Sequence, residues 1–469
     1  MRLWLEGACC VRDCAIDHAL TDNAMLCPTL PMSSIAPFPD PLVTRLEAIQ
    51  KLIDKRRFPD AAERLNAAAK SFPGDPRVFL LGARLAEAAG NPKGAQDAAR
   101  RAVNLTPAWS VAVMELAFLL ARQNELREAV TFAEKGVALD GNNPEVLARA
   151  IDVAHRAQNF DLALAWLQRA RAISPDNIDI RRLLARDLRV KGQYEQAMAL
   201  YDGLLAAAPA DHLALMGRIE TALASGDRAR ALADCDTLLA LVPGNEEVLF
   251  HRQVALGETP VRLPGAMVRS LYDSFADLYD QHVVAGLKYK LPREVGRAIL
   301  ERFPDKKLNV LDLGCGTGLL GLCLGRIDGA LVGVDLSLPM IEQAKRHNVY
   351  DKFHHVDLLD ALEATPESLY DVITALDVFI YAGDMKAAIP NAFRILRPGG
   401  QFIFSCEAAA AGEADLALRS SNRFAHRQSY VESLCRAAGF ESVGVEEMDL
   451  RYENMEPISG FLVTARKPA

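Results

Sequence analysis

The chain has 469 residues and a formal net charge of -8, with half of its residues hydrophobic and 24% charged, which is ordinary for a globular protein of two or three domains. The acidic balance argues against a nucleic-acid-binding surface, and no apolar run reaches the roughly 18 residues a membrane helix requires. Glu6, Arg12 and Asp13 interrupt the first segment, leaving no signal-peptide core, so a cytoplasmic protein without nucleic-acid or membrane partners is expected.

Residues 1–41 read as a disordered lead or as sequence ahead of the true start, with Met25 and Met32 as alternative starts. Cys9, Cys10, Cys14 and Cys27 crowd this segment without a C-x-x-C pair, which speaks against a zinc site. The other five of the nine cysteines are scattered, as expected of reduced thiols, and no cluster predicts a metal.

A repeat governs the next two hundred residues. Ala61, Ala95, Ala129, Ala163, Ala197 and Ala231 recur every 34 residues. Seven positions after each stand Ala68, Ala102, Gly136, Ala170, Leu204 and Leu238, and twelve after each stand Pro73, Pro107, Gly141, Pro175, Pro209 and Pro243. Small residues let paired helices approach closely, and Pro or Gly ends the second helix of each pair. The pattern resembles the tetratricopeptide repeat, with six units at 42–75, 76–109, 110–143, 144–177, 178–211 and 212–245 and a capping helix at 246–256. The resemblance implies an all-α solenoid over 42–257 that binds a protein or peptide through the first helix of each unit. Arg182, Arg186 and Arg189 share one helical face in unit five, and Met114 and Phe118 take the corresponding face in unit three. The arginines are either a solvated stripe or a groove for an acidic ligand.

Pro260, Pro264 and Gly265 mark 258–267 as a linker. Beyond it the period changes. Strands are expected at 308–314, 330–335, 352–358, 370–378 and 401–407, with helices between them such as 336–347 and 385–396. This alternation predicts a parallel sheet covered by helices over 268–469. The last two strand patterns have no helix between them and should pair antiparallel at the edge.

The loop after the first strand, "DLGCGTGLLG" (312–321), fits two chemistries. G-x-G-x-x-G cradles a dinucleotide pyrophosphate, while D-x-G-x-G-x-G holds a sulfonium nucleoside. Charge separates them. Asp312 is a poor neighbour for pyrophosphate and suits the ammonium and sulfonium of S-adenosylmethionine. Asp335, ending the second strand, serves the ribose hydroxyls of either cofactor, whereas Asp357, ending the third, suits an adenine amino group.

The ordered motifs "VLDLGCGTG", "VGVDLSLPMIEQA", "HHVDLLD", "DVITALDVFIY" and "LRPGGQFIFS" resemble those of class I S-adenosylmethionine-dependent methyltransferases, and the whole chain resembles bacterial tetratricopeptide-repeat methyltransferases. The resemblance implies a Rossmann-like α/β domain with a seven-stranded, mostly parallel sheet. Asp312, Gly314, Cys315, Gly316, Thr317 and Gly318 would hold the methionine part, and Asp335 the ribose. Leu336, Ser337 and Met340 would flank the adenine, Asp357 and Leu358 would contact its edge, and Asp377 would stand near donor and acceptor. Met340 by itself fits core packing equally well.

Tyr272, Phe275 and Tyr279 form a stripe that either packs on the sheet or closes over the donor. His426 is either a general base or a helix-start residue bonded to backbone, and Glu407 and Tyr381 are candidates for orienting the acceptor. No N-P-P-Y or D-P-P-Y motif stands where an adenine or glutamine methylase carries one. The reading is a methyltransferase whose repeats recruit substrate or partner. A scaffold that binds the donor without turnover and an NAD-dependent oxidoreductase are the alternatives.

Overall fold

A computed structural model describes residues 41–273, 289–453 and 456–469. Its contacts divide the chain into two compact units, with the division between Gly217 and Arg218.

The first unit is built from helix pairs. They are α1 (Pro41–Asp54) and α2 (Phe58–Ser71), α3 (Pro76–Ala88) and α4 (Pro92–Leu105), α5 (Ser110–Arg122) and α6 (Leu126–Asp140), α7 (Pro144–Arg156) and α8 (Phe160–Ile173), and α9 (Ile178–Val190) and α10 (Tyr194–Ala207). Next come α11 (His212–Ser225), which contains the division point, α12 (Arg228–Leu241) and α13 (Glu246–Leu256). The alanines of the 34-residue period are fully buried, because larger side chains there would push paired helices apart. A Cβ on Gly136 would run into Met114, which fixes that glycine in the packing of α5 on α6. Asp75, Asn91, Asn143, Asn159, Asn177, Asp227 and Asn245 accept from backbone N–H groups and so cap helix starts.

The second unit continues with α14 (Gly265–Asp273), α15 (Leu291–Arg302), β1 (Val310–Leu313), α16 (Leu319–Leu324), β2 (Leu331–Asp335), α17 (Leu338–Arg346), β3 (Lys352–His355), α18 (Leu358–Ala364), β4 (Tyr370–Ala375), α19 (Phe379–Ala382) and α20 (Ala388–Ile395). It ends with β5 (Leu396–Ala408), β6 (Leu416–Leu418), β7 (Phe424–His426), α21 (Gln428–Ala437), β8 (Ser442–Glu453) and β9 (Glu456–Arg466). Strands β3-β2-β1-β4-β5 run parallel in that order, β9 pairs antiparallel with β5, and β8 pairs with β9. These seven are the expected sheet. The short hairpin β6–β7, attached to the carboxyl end of β5, makes nine among the described residues and was not anticipated. Alternate residues serve opposite faces: Val310, Leu331, Val372 and Ile403 join one apolar cluster, and Leu311, Val332, Ile373 and Phe402 the other.

The segment expected to be a linker is part of this unit. Leu263 is buried with Phe250 of α13, Met267 of α14 and Phe424 of β7. Leu263 N donates to the Tyr381 carbonyl at 2.9 Å, and Asp384 N donates to the Val261 carbonyl at 2.8 Å. Proline and glycine punctuate the sequence there, but Leu263 supplies an apolar anchor that a flexible linker would lack. Among the described residues no helix is long and apolar enough to cross a membrane, and the five cysteines are free thiols. The four N-terminal cysteines, and all of the 1–41 lead but Pro41, lie outside the described residues.

Candidate active site

The cleft lies at the carboxyl ends of β1–β4, where a parallel sheet presents loops and helix starts to a ligand. It encloses about 840 Å³ of empty space, part of it open to solvent. Gly314 and Gly316 line it from the first loop, Asp335, Leu336 and Met340 from the second strand end and α17, Asp357 and Leu358 from the third, and Asp377 from the fourth. Gly314 has φ 65°, and a Cβ there would strike Val378. Gly316 has φ 53° with open space where a Cβ would stand, so bare backbone faces the cleft.

Beneath this loop Asp312 is buried and Asp335 half-buried at the cleft wall, and among the described residues neither meets a counter-cation. Asp312 is 3% exposed and accepts from the Tyr350 hydroxyl at 2.6 Å and the Thr374 hydroxyl at 2.8 Å. Burial pushes its carboxyl up to about 6, against the pull of those two hydroxyls. Asp335 accepts from Gly316 N and Ser337 N, each at 2.8 Å, and burial raises it as well. Among the described residues neither carboxylate forms an ion pair with Lys or Arg. Two such groups beside a bare glycine loop fit a ligand that carries positive charge, so the residues suit S-adenosylmethionine and not a pyrophosphate.

Other expected site residues support the cleft from behind. Asp312, Cys315, Thr317, Gly318 and Ser337 do not line it. Asp312 therefore acts through the loop that it holds. Its partner Tyr350 was missed: the hydroxyl also accepts from Gly321 N at 3.2 Å, and the ring packs against Gly318 and Gly321. Ser337 caps α17 and donates to Asp273 at 2.6 Å. The Cys315 thiol, buried beside Asp335 and Asp312, is pushed well above its usual value.

Tyr381 lines the cleft and accepts from the Tyr272 hydroxyl at 3.0 Å, the rings meeting edge-on at 5.7 Å. Phe275 and Tyr279 lie outside the described residues. His426 does not reach the cleft. It is fully buried on β7, its Nε2 bonds the Gly383 carbonyl at 2.6 Å, and Nδ1 has no hydrogen-bond partner among the described residues. Burial lowers its pKa and keeps the ring neutral, so its contacts are those of a structural residue anchoring the Gly383 turn. The period-two reading missed β7 because three residues are too few to display it. Glu407 is likewise buried, bonded to Arg451, which also reaches Asp377 at 2.6 Å. Glu220, Glu247 and His251 bring their ligand atoms within 4.8 Å of one another on α11 and α13, and none of the three lines the cleft.

In the repeats, the arginine stripe is largely neutralised. Arg182 pairs with Asp211 at 2.6 Å and Asp179 at 3.2 Å, and Arg186 pairs with Asp187 at 3.0 Å. Met114 is core and not groove surface. Phe118 is half-buried, with the guanidinium carbons of Arg122, Arg149 and Arg156 at 4.3, 5.7 and 5.8 Å from its ring centre.

Comparison with known families places a methyltransferase domain at residues 287–445 and tetratricopeptide repeats at 46–110, 114–178 and 154–219. The ubiquinone biosynthesis O-methyltransferase of Psychrobacter arcticus is 31% identical over 102 residues, 20% of this chain and 39% of that protein. The malonyl-[acyl-carrier protein] O-methyltransferase of Priestia megaterium is 28% identical over 143 residues, 30% of this chain and 50% of that protein. This chain thus spans half or less of the length of these relatives. Among solved structures, magnesium protoporphyrin IX methyltransferase from Synechocystis with bound S-adenosylhomocysteine is 17% identical, matching 43% of this chain and 99% of its own with a TM-score of 0.35. YrrB, described as a tetratricopeptide-repeat protein with an unusual peptide-binding site, is 18% identical, matching 40% and 97% with a TM-score of 0.36. Repeats, sheet order and cation-suited cleft agree with the family matches: the chain joins tetratricopeptide repeats to a methyltransferase domain of the S-adenosylmethionine-dependent kind.

Proposed function

We propose that this chain is an S-adenosylmethionine-dependent methyltransferase whose repeats recruit a protein that is, or carries, the methyl acceptor. The reading rests chiefly on two carboxylates, the buried Asp312 and the half-buried Asp335, which lack cationic partners among the described residues and flank an open glycine loop. The sulfonium of the bound donor supplies the methyl group. The protein's task is alignment and exclusion of water, because such a donor is already reactive.

Asp335 would accept the ribose hydroxyls while keeping its amide partners. Asp357 would accept from the adenine amino group, with Leu336, Met340 and Leu358 on the ring faces. Gly314 and Gly316 would let backbone approach the methionine part. Asp377 and Tyr381, beyond the glycine loop on the β4 side, would meet the acceptor. An oxygen acceptor is favoured by the two relatives named as O-methyltransferases and by the absence of N-P-P-Y from this sequence. A protein partner is the ordinary role of a helical repeat array. Because its arginines are mostly paired, an acidic partner would have to displace Asp211 and Asp187.

Calorimetry of the full chain should give binding of S-adenosylmethionine and none of NAD. The opposite result sinks the proposal. Transfer of radiolabelled methyl to a host protein or carrier should then identify the acceptor, and donor binding without any transfer would leave a scaffold.

A further inference from the structure

Strand β8 carries a bulge that aims a cation at the cleft. Asp449 pairs with Ser459 and Arg451 with Ile458, so Leu450 is an extra residue opposite the turn of register. In a regular strand, neighbours point to opposite faces. Here Leu450 and Arg451 are both buried, at 1% and 3% exposure. The displaced guanidinium reaches Asp377 Oδ1 through Nη1 at 2.6 Å and Glu407 through Nη2. Asp377 is itself unusual. It is a non-glycine residue at φ 61°, its N–H donates to Ser405 Oγ at 2.8 Å, and it lines the cleft.

The sheet order says which part of the cleft this is. Strand ends follow in the sequence β3, β2, β1, β4, carrying Asp357, Asp335, the glycine loop and Asp377. With adenine and ribose at the first two, Asp377 stands on the far side of the loop, where the reactive end of the donor faces its acceptor. We infer that Arg451 is a positioning residue: clamped to Glu407, it fixes the Asp377 carboxylate against the methyl-bearing end of the donor and toward the hydrogen of the acceptor. This rests on the methyltransferase reading above. Glu407 is raised by burial, with Arg451 opposing the rise, as expected of a carboxylate whose place is to anchor the guanidinium. A buried cation serving two carboxylates holds a geometry more firmly than a surface pair does.

Two nucleosides probe this without knowledge of the acceptor. S-adenosylhomocysteine is neutral at sulfur, whereas sinefungin carries an ammonium group where the donor carries its methyl. The measured quantity is the ratio of their affinities for the full chain, by calorimetry at neutral pH. Wild type should prefer sinefungin, and Asp377→Asn should reduce that preference about tenfold, the loss of one charge-assisted contact. Arg451→Gln should reduce it at least about fivefold with S-adenosylhomocysteine held within about twofold, and Arg451→Lys should restore part of it. Glu407→Gln keeps the Arg451–Asp377 pair but loosens the anchor of the guanidinium, and should lower the ratio by less than Arg451→Gln does. If Arg451→Gln does not fold, Glu407→Gln/Arg451→Gln removes buried acid and base together, and the ratio should fall in that variant instead. An unchanged ratio in the folded Arg451 variant, or an equal loss of both ligands, overturns the inference alone. Failure of wild type to bind either nucleoside overturns the donor reading and the inference with it.

Discussion

The helical repeats and the glycine-loop side of the cleft handle charge in opposite ways. In the repeats nearly every buried charge meets its opposite on a neighbouring helix. Glu115 of α5 lies between Arg84 of α3 and Arg149 of α7. Burial pushes its carboxyl up, but Arg149 and Arg84 outweigh that and hold it below its usual range. Asp187 is held low in the same way, burial being outweighed by His155 and Arg186. Around the glycine loop of the sheet unit, Asp312 is buried and Asp335 half-buried with hydrogen bonds alone, and both are raised. The first arrangement is complete in itself and ties successive repeats together. The second is left incomplete, a feature that makes sense when a cation arrives from outside.

The contrast can be broken most sharply in the repeats. Glu115→Gln leaves Arg149, 7% exposed, without its counter-charge, and should cost the helical unit about 3–5 kcal/mol in urea unfolding followed by helical circular dichroism. A cost under about 1 kcal/mol would mean that the ladder is no more than a surface pairing. Asp312→Asn should act in the other direction. With its folded-state value raised from 3.8 to about 6, Asp312 holds its proton longer in the folded chain, so its contribution favours folding below about pH 4 and is lost as pH rises through about 6. At pH 7 the ligand-free Asn variant should therefore be more stable by up to roughly 3 kcal/mol, while S-adenosylmethionine affinity falls. A variant that loses both stability and affinity would show that the carboxylate stabilises the fold.

A smaller effect is expected at the second carboxylate. Asp335→Ala removes charge-assisted bonds of about 1.5–3 kcal/mol each, offset by relief of a raised carboxyl, so donor affinity should drop about 10–100-fold. Affinity in the wild type should also decline as pH falls below about 6, where Asp312 takes up its proton. A flat profile between pH 5 and 8, read by calorimetry, would detach Asp312 from the donor. The smallest change concerns the arginine stripe. Because Arg182 and Arg186 are paired, replacing Arg182, Arg186 and Arg189 together by Ala should weaken partner binding only modestly and should leave donor affinity unchanged. A large, salt-sensitive loss of partner affinity would restore the acidic-groove reading.

Much of this was legible in the chain itself. A 34-residue period dictates paired helices because alanine recurs where two helices touch, and the order of glycine loop and strand-end aspartates dictates a cleft at the carboxyl ends of parallel strands. Local spacing suffices for such features because each rests on a fixed helical or strand period. Which side chains meet was decided only by tertiary structure. Tyr350 lies 38 residues from Asp312, and Arg451 lies 74 from Asp377, so no local pattern announces either pair. His426 stood in a plausible place for a base until β7 buried it against Gly383. The 258–267 segment has the punctuation of a linker, yet Leu263 and its backbone bonds fix it to the cleft wall. Sequence patterns follow backbone periodicity, which is local, while a carboxylate's charge state and a base's reach depend on groups brought from distant strands.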